Sequence, residues 1–135
     1  MLRMIFGVLA GFIVWSILWI GSDQLLAVIS PDRYGAHQNA FQAAIETGQH
    51  FAADPVLLVS HIVRAILITA IAGFVTAAVA GENRRSALIL GIVLLIFGVA
   101  VQLSVWSYLP LWYHLIFLAL LLPMSVLGAR LKRFA

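Results

Sequence analysis

Five polar side chains interrupt stretches that are otherwise apolar enough to cross a membrane: Asp23, His61, Arg64, Gln102 and His114. Arg64 is the hardest to accommodate. In Ser60-His61-Ile62-Val63-Arg64 it lies about three helical turns into a hydrophobic run, where an unpartnered guanidinium costs on the order of several kcal/mol. Three arrangements would relieve that cost. Arg64 can pair with Asp23, with Gln102 and a histidine taking the remaining hydrogen bonds. It can sit in an outward-facing pocket and hold a ligand such as an anionic lipid headgroup. It can also extend its head along the helix to the interface, with no role inside the bundle.

The histidines allow other chemistry. His61 and His114 would have to ligate a haem iron axially from facing helices, yet their expected depths differ by most of a turn and no second histidine pair continues an electron path. His37 and His50 with Asp32, Glu46 or Asp54 are the candidates for an outer metal site, but their spacing matches no compact metal motif, and no metal is expected. No nucleophile elbow, phosphate loop or pair of catalytic carboxylates occurs. The chain has no cysteine, which removes disulfide exchange, thiolate catalysis and cysteine-ligated zinc or iron-sulfur centres. The sequence therefore reads as non-enzymatic.

Composition sets the environment in which these residues work. The 135 residues have room for one domain, and 64% hydrophobic against 10% charged lies far outside the soluble range. A net charge of +3 and a pI near 10.0 do not indicate nucleic acid, because the basic residues are scattered among apolar segments and form no cationic face.

The elements that must position the polar residues are four segments of spanning length, residues 4–29, 55–80, 86–106 and 111–129, each about long enough for the hydrocarbon core. The expected fold is all-α, an integral membrane four-transmembrane-helix bundle, since an exposed backbone in lipid must satisfy its own hydrogen bonds. Residues 86–129 are too long for one span, and Ser107-Tyr108-Leu109-Pro110 is where they fold back. Near the amino terminus, the apolar run from Met4 to Ser22 is long for a signal peptide and is expected to stay as the first helix.

Arg3, Arg84, Arg85, Arg130, Lys132 and Arg133 fall on one side if the segments alternate, while residues 30–54 carry only Arg33 against Asp32, Glu46 and Asp54. The positive-inside rule then puts both termini in the cytoplasm. Trp106, Tyr108, Trp112 and Tyr113 gather at the outer interface. In the outer loop, Ser30-Pro31-Asp32 suggests a turn, and His37 to Glu46 a short interfacial helix with Phe41, Ala44 and Ile45 along one side, ended by Gly48. Asp54-Pro55 suits the cap and first position of the second span.

Helix rise places Asp23 and His61 about 9 Å below the outer ends of their helices, Gln102 and His114 shallower, and Arg64 about 13 Å down. All five lie in the outer half, which brings them within reach of one polar pocket. Gly7 and Gly11, Gly73 with Ala77, and Gly91 with Gly98 on the stripe that carries Gln102 are packing positions where helices approach closely. They serve contacts within the chain or, as the lesser alternative, self-association.

The run Gly73-Phe74-Val75-Thr76-Ala77-Ala78-Val79-Ala80-Gly81, then Arg84-Arg85, Leu109-Pro110-Leu111-Trp112, Leu122-Pro123 and Leu127-Gly128-Ala129-Arg130, resembles a pattern in small uncharacterised four-helix membrane proteins of bacteria. The pattern covers most of the chain but does not extend to the outer loop. The resemblance implies a bacterial inner-membrane protein and carries no activity with it.

Two functions are compatible with these features. One is an accessory or assembly component acting through contacts with membrane lipids, another membrane protein or a second copy. The other is a small transport or ligand-binding protein using the outward-facing pocket. Multidrug transporters of similar size keep an essential acid near the middle of their first helix, whereas Asp23 lies toward the outer end and nothing acidic lies at mid-depth.

Overall fold

A computed structural model describes residues 2–48 and 51–132, and His50 and Arg133 lie outside the described residues. Among the described residues there is helix and no strand. Helix α1 spans Leu2–Ile29, a single π-helical turn follows at Pro31–Gly35, and α2 spans Ala36–Thr47. The long helices α3 (Pro55–Ala80), α4 (Arg85–Ser104) and α5 (Leu111–Arg130) complete the chain, with a 3-10 turn at Trp106–Tyr108 between the last two. The four long helices α1, α3, α4 and α5 are apolar and long enough to cross a membrane.

Local chemistry explains the boundaries. Asp54 caps α3 by accepting from the Val56 N–H at 3.0 Å, with Pro55 at the first helical position, where its missing donor costs nothing. Gly81 ends α3 at φ 76°, a conformation that a Cβ would strain. Glu82 then caps α4 from upstream, its carboxylate accepting from the N–H groups of Arg84, Arg85 and Ser86. Three expectations are adjusted. α4 stops at Ser104 rather than Trp106, because the chain tightens into the 3-10 turn before Pro110. Ser30 leads into the π-helical turn rather than a simple turn, its carbonyl accepting from both Tyr34 and Gly35. That turn, which carries the buried Tyr34, sets the register of α2, whose less exposed side is His37, Gln38, Phe41 and Ala44, while Ile45, expected on the same side as Phe41 and Ala44, is 42% exposed.

The helices meet where glycine removes a side chain. Gly7 lies against Ala80 and Thr76, Gly11 against Thr76 and Ala72, Gly73 against the Ser125 backbone, Gly91 against Ser125 and Leu122, and Gly98 against Leu121 and Leu118. All five therefore serve contacts within the chain. Gly128 against the Ala70 backbone is a further close approach, one not singled out from the sequence. At this end, with Ala77, Ala87 and Ala129 buried together, backbones pack almost directly on one another. Toward the other end the core is built from large side chains, Trp15, Leu58, Leu94, Tyr113, Phe117 and Leu121.

Candidate functional site

Arg64 is held by groups from three elements. Its Nη2 lies 2.6 Å from Asp23 Oδ1 on α1, and its Nη1 donates to the Tyr34 hydroxyl in the π-helical turn at 2.7 Å. Tyr34 in turn donates to Asp23. The guanidinium lies over the Trp19 ring, 4.3 Å from its centroid, a placement that adds cation-π attraction. With the Arg64 side chain 10% exposed and Asp23 24%, the pair is largely withdrawn from solvent. Snorkelling is thereby replaced by a fixed position inside the bundle. Burial and the hydrogen bond to Asp23 hold the Tyr34 phenol well above its ordinary range, so it stays protonated and serves as the donor.

Arg64 also determines the state of His61. Its Nη2 is 3.1 Å from His61 Nδ1, and a guanidinium can only donate. His61 Nδ1 is therefore the acceptor, the ring is neutral, and its proton is on Nε2. No partner for Nε2 occurs among the described residues, and the ring forms part of a cavity wall.

His37 follows the same logic on α2. Its Nε2 accepts from the backbone N–H of Asp54 at 3.1 Å, which leaves its proton on Nδ1. Burial holds this imidazole below its ordinary range, with the Asp54 carboxylate working in the opposite direction. A metal at His37 would have to displace the Asp54 N–H from Nε2. The other histidine proposed for that site, His50, is outside the described residues.

Gln102 and His114 form a separate pair. His114 is fully buried, hydrogen-bonded through Nδ1 to the Gln102 side chain and through Nε2 to the Trp106 carbonyl at 3.1 Å. Its ring stacks on Trp106 at 4.2 Å. Both ring nitrogens are occupied, so His114 offers none to a haem iron, and axial ligation with His61 would require breaking this pair. The role of the pair is to fix the end of α4 and the following turn against the start of α5.

The cavity between these groups has a volume of about 360 Å³ and draws on every helix. Asp23, His61, Gln102, His37 and Gln38 supply its polar wall, while the rest is apolar and mainly aromatic. Trp15 and Trp19 lie parallel at 5.6 Å, and Phe97 and Phe117 meet them edge-on at 6.1 Å and 5.8 Å. Of the five residues expected to converge, Asp23, His61 and Gln102 reach the cavity directly. Arg64 stands behind Asp23 and His61, and His114 behind Gln102.

Tyr34, Trp19 and His37 are the contributors that sequence reasoning left out of the cluster. The spacing of Tyr34, His37, Gln38 and Phe41 on one helical face was the available signal. It was obscured by the assignment of Ser30 to Asp32 as a turn. No family model, curated protein or solved structure matches the chain.

Proposed function

We propose that this chain is a non-enzymatic, multi-pass membrane protein that binds a small lipophilic molecule in the cavity at Asp23, His61 and Gln102. The observation that carries this reading is the aromatic-lined space of about 360 Å³, a size within the range of roughly 300–1,000 Å³ common to small-molecule pockets. An accessory role exercised only through helix-helix and lipid contacts needs no such space.

The reading includes a bacterial inner membrane with both termini cytoplasmic and the cavity toward the outer face. Arg3, Arg84, Arg85, Arg130 and Lys132 lie at the helix ends opposite Asp23, as the positive-inside rule requires for that orientation. Exposed Trp106 and Trp112 lie at the cavity end, as an interfacial belt would.

Extraction from native membranes followed by mass spectrometry of the intact complex tests the binding. Wild-type protein should carry a small hydrophobic molecule that Val101→Trp, which fills the cavity from a 41% exposed wall position, releases. Wild type free of any such molecule and unresponsive to added lipophiles would refute the reading. Reporter fusions at Gly81 to Arg85 should behave as cytoplasmic and those near Gln42 as exported, and the opposite pattern would invert the orientation.

A further inference from the structure

We infer that the molecule held in this cavity is neutral and carries a planar, carbonyl-bearing ring of the quinone class, with a lipid-soluble tail. The inference rests on the ligand-binding reading and narrows it. Three features of the wall select this chemistry.

The first is charge. Among the described residues Asp23 is the only carboxylate in the cavity wall, and Arg64 neutralises it at 2.6 Å. A lipophilic cation would have to compete with that guanidinium for the carboxylate. An anion is also disfavoured: the Nη atoms of Arg64 are committed to Asp23, Tyr34 and His61, and its remaining donor, the unpartnered Nε, is buried on a residue that stands behind the wall rather than in it. Burying an uncompensated ligand charge beside a paired site would incur a desolvation cost that nothing there offsets.

The second feature is the sense of the hydrogen bonds. His61 and His37 each use one ring nitrogen as an acceptor, so each is neutral with its proton on the other nitrogen. Both rings line the cavity, with the Gln102 amide beside them. Neither N–H has a partner among the described residues, and a ligand with carbonyl oxygens can accept from such groups, which a hydrocarbon cannot.

The third is shape. The parallel Trp15 and Trp19 rings, with Phe97 and Phe117 edge-on to them, give the cavity an aromatic wall that suits a flat ring, although Arg64 covers one face of Trp19 and Phe12 stacks on Trp15. Phe97 meets Phe12 and Trp15 along the α1–α4 seam, and Val101 beyond it is both wall and outer surface. A ring seated inside can leave its tail in lipid through this seam.

The test is isothermal titration calorimetry of the full chain in detergent with a decyl-substituted benzoquinone, alongside tetraphenylphosphonium as the cation and dodecyl phosphate as the anion. The benzoquinone should bind saturably at one site per chain and the two ions at least tenfold more weakly. Val101→Trp should abolish benzoquinone binding. His61→Phe, checked for folding by its melting temperature, should weaken it about tenfold, as expected for one neutral hydrogen bond. If either ion binds wild type as tightly as the benzoquinone, or His61→Phe binds with wild-type affinity, the assignment of ligand class is overturned while the pocket stands. If none of the three probes binds saturably, and extracted protein carries no small molecule, the ligand-binding reading itself falls.

Discussion

The two ends of this bundle solve the packing problem in opposite ways. At the end formed by the start of α1 and α4 and the close of α3 and α5, Gly7, Gly73, Gly91, Gly128, Ala77, Ala87 and Ala129 let backbones touch. Lipid tails are as apolar as leucine, so helices gain little by hiding hydrophobic surface from them and associate through close van der Waals contact. At the other end the helices are held apart by Trp15, Trp19, Phe97, Tyr113 and Phe117. Large rings cannot interdigitate as tightly as glycine and alanine, and the space left over is the cavity. Polar groups follow the same division. The small-residue end holds Thr76 and Ser125, with Ser125 bonded to the Leu122 carbonyl, whereas the aromatic end holds an ion pair, a tyrosine and histidines. One end is closely packed and the other encloses the cavity.

Breaking the ion pair should have the largest effect on stability. Arg64→Leu or Asp23→Leu alone should each lower stability by about 3 to 5 kcal/mol, because each leaves a buried charge without its partner, and the double replacement should recover much of the loss. Denaturation of the four proteins in detergent measures the coupling. Additive losses would show that Tyr34 and His61 hold each charge independently.

The contrast between the ends is sharpened by adding volume to each. Gly73→Val should destabilise by about 1 to 3 kcal/mol or more, since its new side chain would enter the Ser125 backbone and overpacking is costly there. Val101→Trp at the cavity should leave the melting temperature unchanged or raise it. On one helix, Gly98→Leu should lower the melting temperature more than Val99→Leu, because Gly98 abuts Leu121 and Leu118 while Val99 is exposed. Equal melting temperatures for that pair would show that the close contact at Gly98 contributes nothing.

The smallest effect is at the turn joining α3 to α4. Burial works against ionised Glu82, but hydrogen bonds from Ser86, Arg84 and Arg85 outweigh it and bring its carboxyl from 4.5 down to about 2. A depressed carboxylate pKa contributes stability that is present above the ordinary value and lost as pH falls through the lowered one. Glu82→Gln should therefore cost about 1 kcal/mol at neutral pH, typical of a lost helix cap, and the difference from wild type should vanish as pH falls from 4.5 toward 2. A pH series of melting temperatures for both proteins checks it.

The linear sequence determined which segments are long and apolar enough to span, because hydropathy and span length are local properties. It also determined where they stop: Asp54-Pro55 and Gly81 act through their own backbone preferences. The proximity of Asp23, His61 and Arg64 was legible from helix rise alone, since depth depends only on residue count. Rotation about each helix axis was not. It is decided by which glycine faces which neighbour, and those contacts place Gln102 in the cavity wall, turn His114 away toward Trp106, and set Arg64 behind His61. Tyr34 was beyond local reading for a related reason. Its place between Asp23 and Arg64 depends on a π-helical turn that folds the chain back over the end of α1. The tautomers of His37 and His61 depend in turn on donors 17 residues away in one case and on the next helical turn in the other. Only the assembled fold brings the Asp54 N–H to His37, whereas Arg64 reaches His61 within a single helix.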